Sequence, residues 1–307
     1  MKLAIGTWPF GAVSESPPIE FSAVLNRAAE LGFDGVEFAP VAPHPDLLSY
    51  ATSKDRKQLM TQITKRGLEV SAVVRFIDKS ILSEPHPATY MDEFERTLSF
   101  CTDLAVTRMW LCTGDAPDMV NQIGYDVAFD RLVRTWGECA RKAAAVGVTL
   151  VWEFEIGSAF NESQQVVDVA HALAGPGFGV LYDTAHGHLI CDASAKGAKA
   201  ETAGDGQIEL LRQLRGTIKH VHLGDSAGSL TTYPASSIGY FGADRVTATH
   251  VPLGRGDVPF DRILPTLRDA AVGAEWWCVD LAFCPNAWEA IEESKMYVDR
   301  HVIPLVS

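Results

Sequence analysis

Eight short apolar runs punctuate the chain at residues 2–8, 35–38, 68–76, 108–113, 148–155, 179–184, 218–223 and 276–282. Each is apolar along most of its length instead of alternating with polar residues, which marks strands covered on both faces. Between them, apolar residues recur at helical spacing. Ser16 followed by Pro17 and Pro18 predicts a helix start, and Phe21, Val24, Leu25, Ala28 and Leu31 form its stripe before Gly32 stops it. Further helices are predicted at 54–66, 90–104, 125–146, 161–173 with Asn161 as N-cap, 209–214, 260–271 and 287–300.

In this pattern no strand is followed directly by another, so the connections must be crossovers and the sheet parallel. The predicted fold is α/β, a single (β/α)8 TIM barrel covering 1–307 as one domain. A doubly wound sheet would announce itself with a glycine-rich phosphate turn after its first strand, and the segment TWPFGA carries neither GxGxxG nor GxxxxGK. One long segment, about 226–257, reads as irregular; it is rich in Gly, Ser and Thr and carries Tyr233, Tyr240, Phe241 and His250. A loop of that length in a compact domain is expected to be a lid or binding loop.

Composition narrows the partners. With 39 acidic against 26 basic residues the formal charge is −13, which repels nucleic-acid backbones and anionic membrane surfaces. The six cysteines are scattered without a CxxC pair, as reduced packed thiols would be. MKLAIGTWPF reads as a strand start and not a signal peptide, and no run is long enough to span a membrane, so a cytoplasmic protein is expected.

The candidate chemistry sits where the strands end. In GVLYDTAHGH and IKHVHLGD, apolar runs turn polar only at Asp183, His186, His222 and Asp225, the end at which α/β barrels keep their active sites. Glu153 in the fifth strand and Asp280 in the eighth extend the pattern, so four adjacent strands each deliver one ligand-type side chain: Glu153, Asp183, His222 and Asp280. Buried charges need a compensator, and three carboxylates with one imidazole suit one divalent metal ion, Mn²⁺ first, with Mg²⁺, Co²⁺ or Zn²⁺ as alternatives. Glu155 lies one step nearer the barrel mouth, Glu37 and Arg75 end the second and third strands, and Trp8 could stack on a sugar face; these are candidate substrate contacts. His220, two residues deeper than His222, reads as structural.

The segments AAELGFDGVEF (28–38), GVTLVWEF (147–154), GVLYDTAHGH (179–188), IKHVHLGD (218–225) and VPLGRGDVPF (251–260), in this order and spacing, resemble the xylose isomerase-like barrels. The branch they resemble holds sugar isomerases and epimerases, including ketose 3-epimerases, hydroxypyruvate isomerases and inosose dehydratases. The resemblance implies metal ligands at Glu153, Asp183, His222 and Asp280, and a substrate contact at His186. It further implies proton abstraction next to a carbonyl through a metal-stabilised enediolate, with Glu153 and Asp280 as the acid/base pair. The chain departs from the family at Asp280, where relatives carry Glu, at Phe154, where they carry Pro, and at Arg255, where they carry an acidic residue; Arg255 joins the candidate substrate contacts. Ser226, Ala227 and Gly228 stand where ketose epimerases place a sugar-orienting Arg. A shorter Asp280 sets its carboxylate back, which leaves His186 or His188 to move the second proton.

The expected function is a divalent-metal-dependent sugar isomerase or epimerase. The alternative is a lyase or dehydratase of the same fold, either inosose dehydratase-like or akin to the subunit that cleaves C-glycosides from a 3-keto-sugar. A DNA-repair endonuclease of the endonuclease IV type shares the barrel and the DxxH element, but the charge of −13 argues against it. The expected partners are a small, unphosphorylated sugar and further subunits, in a homo-oligomer or a hetero-oligomer.

Overall fold

The computed structural model describes residues 1–13, 17–40, 42–75, 79–191, 203–233 and 245–306. Its strands, in chain order, are β1 (Lys2–Gly6), β2 (Gly35–Phe38), β3 (Glu69–Arg75), β4 (Arg108–Leu111), β5 (Thr149–Glu153), β6 (Phe178–Asp183), β7 (Ile218–Leu223), β8 (Leu230–Tyr233), β9 (Arg245–Ala248) and β10 (Trp276–Val279). All but β8 and β9 are parallel and close into a barrel in the order β1-β10-β7-β6-β5-β4-β3-β2. This is the predicted (β/α)8 TIM barrel, with each predicted barrel strand present.

Helices wrap the barrel because their stripes fit it. In Phe21–Glu30, Phe21, Val24, Leu25 and Ala28 are buried, and in Tyr125–Ala145 the buried residues include Leu132, Trp136, Cys139 and Ala143. Their partners are outward-facing strand residues: the Trp136 ring lies 5.6 Å from Trp152 and 5.9 Å from Phe178. Burying each such side chain contributes about 1.5–3 kcal/mol, so this layer dominates the hydrophobic term. Local capping sets the boundaries: Thr52 and Asp55 form a reciprocal capping box at the start of Ser53–Thr64.

Inside the barrel a separate, smaller cluster fills the lumen, with Ala4, Val74, Trp110, Val151, Leu181 and Cys278 among its members. The period of two along a strand then fixes what lies above it. Val151 is followed on the same face by Glu153, Leu181 by Asp183, His220 by His222, and Cys278 by Asp280. The lumen is therefore apolar at mid-height and turns polar at the C-terminal mouth.

The chain also differs from its sequence pattern. A helix, Thr184–Cys191, follows β6 at once, so His186 and His188 sit on a helix and not on a strand end. Residues 184–189 are buried on every side, and a helix without a polar face leaves no amphipathic stripe to read. The segment 226–257 holds the antiparallel hairpin β8–β9, which breaks the expectation that no strand follows another directly; its middle, 234–244, lies outside the described residues. An extra helix, Pro117–Ile123, precedes Tyr125–Ala145. Asn161 does not cap the next helix: its side-chain amide donates to the carbonyl of Ile156, and Glu162 with Gln165 caps Ser163–Ala172 instead. The predicted cap Ser16 lies outside the described residues. No helix among the described residues is long and apolar enough to cross a membrane.

Candidate metal centre

Glu153 ends β5, Asp183 ends β6, His222 lies near the end of β7, and Asp280 directly follows β10. The barrel makes these strands neighbours, and register places Asp183 opposite His222 and Cys278 opposite His222. One ligand atom from each of Glu153, Asp183, His222 and Asp280 falls within 4.8 Å of the others, and all four side chains are buried. The structure thus brings together the four residues predicted as metal ligands.

The surrounding hydrogen bonds aim them. His222 Nδ1 lies 3.0 Å from Glu153 Oε1 and 3.7 Å from Asp280 Oδ2, while its Nε2 lies 3.2 Å from Glu37 Oε1. Glu37 in turn receives Ser71 Oγ at 3.0 Å and faces His220 Nε2 at 2.7 Å. Asp280 Oδ1 accepts both the Trp8 indole N–H at 3.0 Å and the Ala282 backbone N–H at 2.7 Å. The His186 backbone N–H donates to Asp183 Oδ1 at 2.7 Å, so the helix Thr184–Cys191 starts on this carboxylate. Asp183 Oδ2 has no hydrogen-bond partner among the described residues. Buried carboxylate oxygens are normally satisfied, and an orphaned one inside a convergent donor set is what a cation site presents. The residues therefore fit a divalent ion.

Electrostatics point the same way. Burial pushes the Glu153 carboxyl well above the usual range; His222 opposes this, and the Glu155 and Asp183 charges add to it. Burial would also raise Asp183, but His250 and His186 hold it down to about 2. Burial alone would lower His222, yet Glu37 and Glu153 raise it well above its ordinary value. Burial likewise disfavours charge on His250, while Asp280 and Asp183 push it up to about 9. Without an ion the cluster retains protons among its members, and an incoming cation would displace them.

The other predicted residues divide. His186 is buried and groups with Glu153 and Glu155, and Ser158 Oγ donates to Glu155 Oε2 at 3.1 Å. The Trp8 indole packs over Gly6, where any side chain would collide with it; its ring lies 5.4 Å from Trp110 and 5.7 Å from His222. Arg75 ends β3, and its side chain lies outside the described residues. Glu37 is not exposed on the rim: it is fully buried against His220 and His222, on the Nε2 side of the His222 ring. Arg255 is also displaced from the prediction, with its side chain 68% exposed and paired with Glu293 of the outer helix Ala287–Tyr297. Asp225 does not join the cluster; it accepts backbone N–H groups of Ser226, Gly254, Gly256 and Val258 and so pins the chain after β9.

His250 is the residue that sequence reasoning did not place in the site. It is 1% exposed, its Nδ1 lies 3.1 Å from the Ala282 carbonyl, and it stands 3.9 Å from Asp183 and 3.8 Å from Asp280. The available signal was a histidine just before VPLGRGD in a segment otherwise read as loop.

A family model described as "Xylose isomerase-like TIM barrel" matches residues 25–299. Among solved structures, a probable 3-DHS dehydratase, AsbF of Bacillus anthracis, superposes with a TM-score of 0.71 at 17% identity, covering 98% of this chain and 100% of that one. A D-psicose 3-epimerase studied with D-fructose gives 0.70 at 17% identity with full coverage of both chains. The IolI protein with a bound zinc atom gives 0.70 at 19% identity, covering 100% of this chain and 98% of that one. At these identities the likeness is one of fold. Comparison with curated proteins gives no match.

Proposed function

Because the chain belongs to the xylose isomerase-like TIM barrel family, we propose that it is a metal-dependent enzyme that isomerises or epimerises a small sugar. The proposed chemistry is abstraction of a proton beside a carbonyl. The observation that carries the reading is the convergence of Glu153, Asp183, His222 and Asp280 at the C-terminal mouth, all buried, with Asp183 Oδ2 unpartnered among the described residues. These four would hold one divalent ion, Mn²⁺ by preference of the oxygen-rich set. When bound, the ion supplies positive charge where the substrate oxygen gains negative charge.

The chain's own residues do the rest. Glu153 is the proton-transfer group: its carboxyl is anchored through His222, flanked by Glu155 and His186, and pushed by burial above the usual carboxylate range. His186 and Glu155 line the mouth side of Glu153, where sugar hydroxyls would be oriented. Trp8 and Trp110 offer an apolar wall that excludes water from the reacting carbon. The substrate is unphosphorylated in this reading, and the working protein is an oligomer in the cytoplasm.

A second reading, a dehydratase or other lyase, is favoured by Asp280. Its Oδ1 is held by two N–H donors, so it is fixed as a ligand and poorly free to act as the opposite-face base. A dehydratase needs one base and a proton donor for the leaving group, a role open to His186. The fold neighbour AsbF, named as a probable dehydratase, supports this alternative.

The test is solvent deuterium uptake by Mn²⁺-loaded protein with a panel of ketoses, 3-keto-sugars and inososes. Carbon-bound label without loss of water supports the isomerase reading, and label with loss of water supports the lyase. No label from any of them would overturn both.

A further inference from the structure

We propose an anion-binding pocket at the opposite, N-terminal end of the barrel, built around Arg108 and Lys219, that takes a small organic dianion, either a phosphate ester or a dicarboxylate. It goes beyond the reading above and does not rest on the metal centre. Arg108 opens β4, Thr149 opens β5 and Thr217 directly precedes β7, whereas Glu153 and Asp183 close β5 and β6. These starting residues line a cavity of about 490 Å³ together with Lys219, Gly175 and Gly216. That volume lies within the roughly 300–1,000 Å³ of small-molecule pockets in general. No acidic residue lines it, although the chain as a whole carries a formal charge of −13.

Strand geometry brings the two cations to this floor. Side chains two residues apart share a face, so Arg108 lies below Trp110 and Thr149 below Val151, both members of the lumen cluster. By the same rule Lys219, next to the inward His220, would face outward. The register between β6 and β7 slips at this point: Val180 pairs with Ile218 but Leu181 with His220, which leaves Lys219 as the extra residue of a bulge. A bulge re-aims the side chain it carries. Gly179, below Leu181 on the inner face, gives that side chain its room, because a Cβ there would collide with Lys219 Cγ.

Neither cation is saturated. Lys219 Nζ donates to the Gly216 carbonyl at 3.0 Å, which pins the ammonium beside the cavity, and it has no carboxylate partner among the described residues. An ammonium carries three donors, so with one engaged two remain. The Arg108 side chain is 14% exposed, and its guanidinium reaches only Thr107 Oγ1 at 3.3 Å and Glu275 Oε2 at 3.4 Å, both long. With two of its five N–H donors so engaged, three are left for a ligand. A guanidinium fork beside an ammonium point charge is the pairing that holds a phosphate or two carboxylates. Thr149 Oγ1 and Thr217 Oγ1 donate to the Pro176 and Leu214 carbonyls, which leaves their lone pairs to accept from a hydroxyl of the ligand.

The experiment is calorimetric titration of the full chain with glycerol 3-phosphate, and separately with succinate, on proteins shown to be folded by their melting curves. Wild type should bind one molecule per chain of at least one probe; the ester alone assigns a phosphate ligand, and succinate alone a dicarboxylate. Arg108→Gln and Lys219→Gln should each weaken binding by at least about tenfold, the scale of losing one hydrogen bond to a charged group, and either variant suffices if the other fails to fold. Lys54→Gln, on the outer helix Ser53–Thr64, and Asp183→Asn should bind as wild type does. No saturable binding of either probe, or undiminished binding in the folded pocket variants, would overturn the proposal. An equal loss in Lys54→Gln would do so by showing general charge attraction, and a loss confined to Asp183→Asn by placing the anion at the metal centre.

Discussion

Glu37→Gln is the sharpest single perturbation of the proposed metal centre, because it preserves shape and removes the charge. Glu37 is fully buried, takes Ser71 Oγ at 3.0 Å, faces His220 Nε2 at 2.7 Å and reaches His222 Nε2 at 3.2 Å. Burial would raise its pKa, but the charges and hydrogen bonds of His220 and His222 hold it well below the usual carboxylate range, so it acts as an anion. An anionic acceptor holds one proton of His222 on Nε2, so that an ion displacing the other would meet the lone pair of Nδ1, the atom facing Glu153 and Asp280. A hydrogen bond to a charged group is worth about 1.5–3 kcal/mol and a neutral one about 0.5–1.5. The loss is therefore about 1–1.5 kcal/mol, or about tenfold in affinity. That falls at the lower edge of the roughly 10- to 100-fold cost seen when a partner behind a metal ligand is changed. Competition for Mn²⁺ against a fluorescent chelator, on protein shown to be folded by its melting curve, measures it. A folded Glu37→Gln protein with unchanged Mn²⁺ affinity would refute the idea that Glu37 sets the His222 tautomer.

Other consequences follow from the same geometry. Metal-loaded protein should melt above metal-free protein, since free metal at about a thousand times its Kd adds about 4 kcal/mol; identical melting curves would contradict a site in the folded state. If Asp280, held by two N–H donors, serves only as a ligand, metal-saturated Asp280→Asn should keep much of its solvent exchange while His186→Asn loses it, and the reverse order would return Asp280 to the acid/base pair. His44, 5% exposed with Nε2 3.0 Å from the Ile19 carbonyl, has its pKa lowered by burial, against the pull of that carbonyl. The unfolded chain thus takes up this proton first, at about pH 6.5, and stability is complete above that pH and falls as pH drops toward the folded value. His44→Gln should lose less melting temperature on acidification than wild type; an equal loss would show that His44 plays no part.

The strands and the four-residue set were legible because both rest on a period of two. A strand buried on both faces is almost wholly apolar, so an inward polar residue at its C-terminal end stands out, and Glu153, Asp183, His222 and Asp280 each occupy such a place. Glu37 obeys the same parity, but sequence alone carries no depth, and the residue is fully buried behind the His222 ring instead of exposed on the rim. The helix Thr184–Cys191 was missed because burial around its whole circumference erases the stripe. His250 was missed because tertiary anchors, the Ala282 carbonyl and Asp225, bring a loop residue into the site. Arg255 illustrates the opposite error: it sits in a segment that resembles the family, yet its partner is Glu293 on an outer helix.

Anomalous diffraction from Mn²⁺-soaked crystals tests the central claim most directly. The account predicts a peak about 2.0–2.2 Å from donor atoms of Glu153, Asp183, His222 and Asp280, absent in Asp183→Asn. A metal peak elsewhere with these four side chains bare, or none at saturating Mn²⁺, would contradict it.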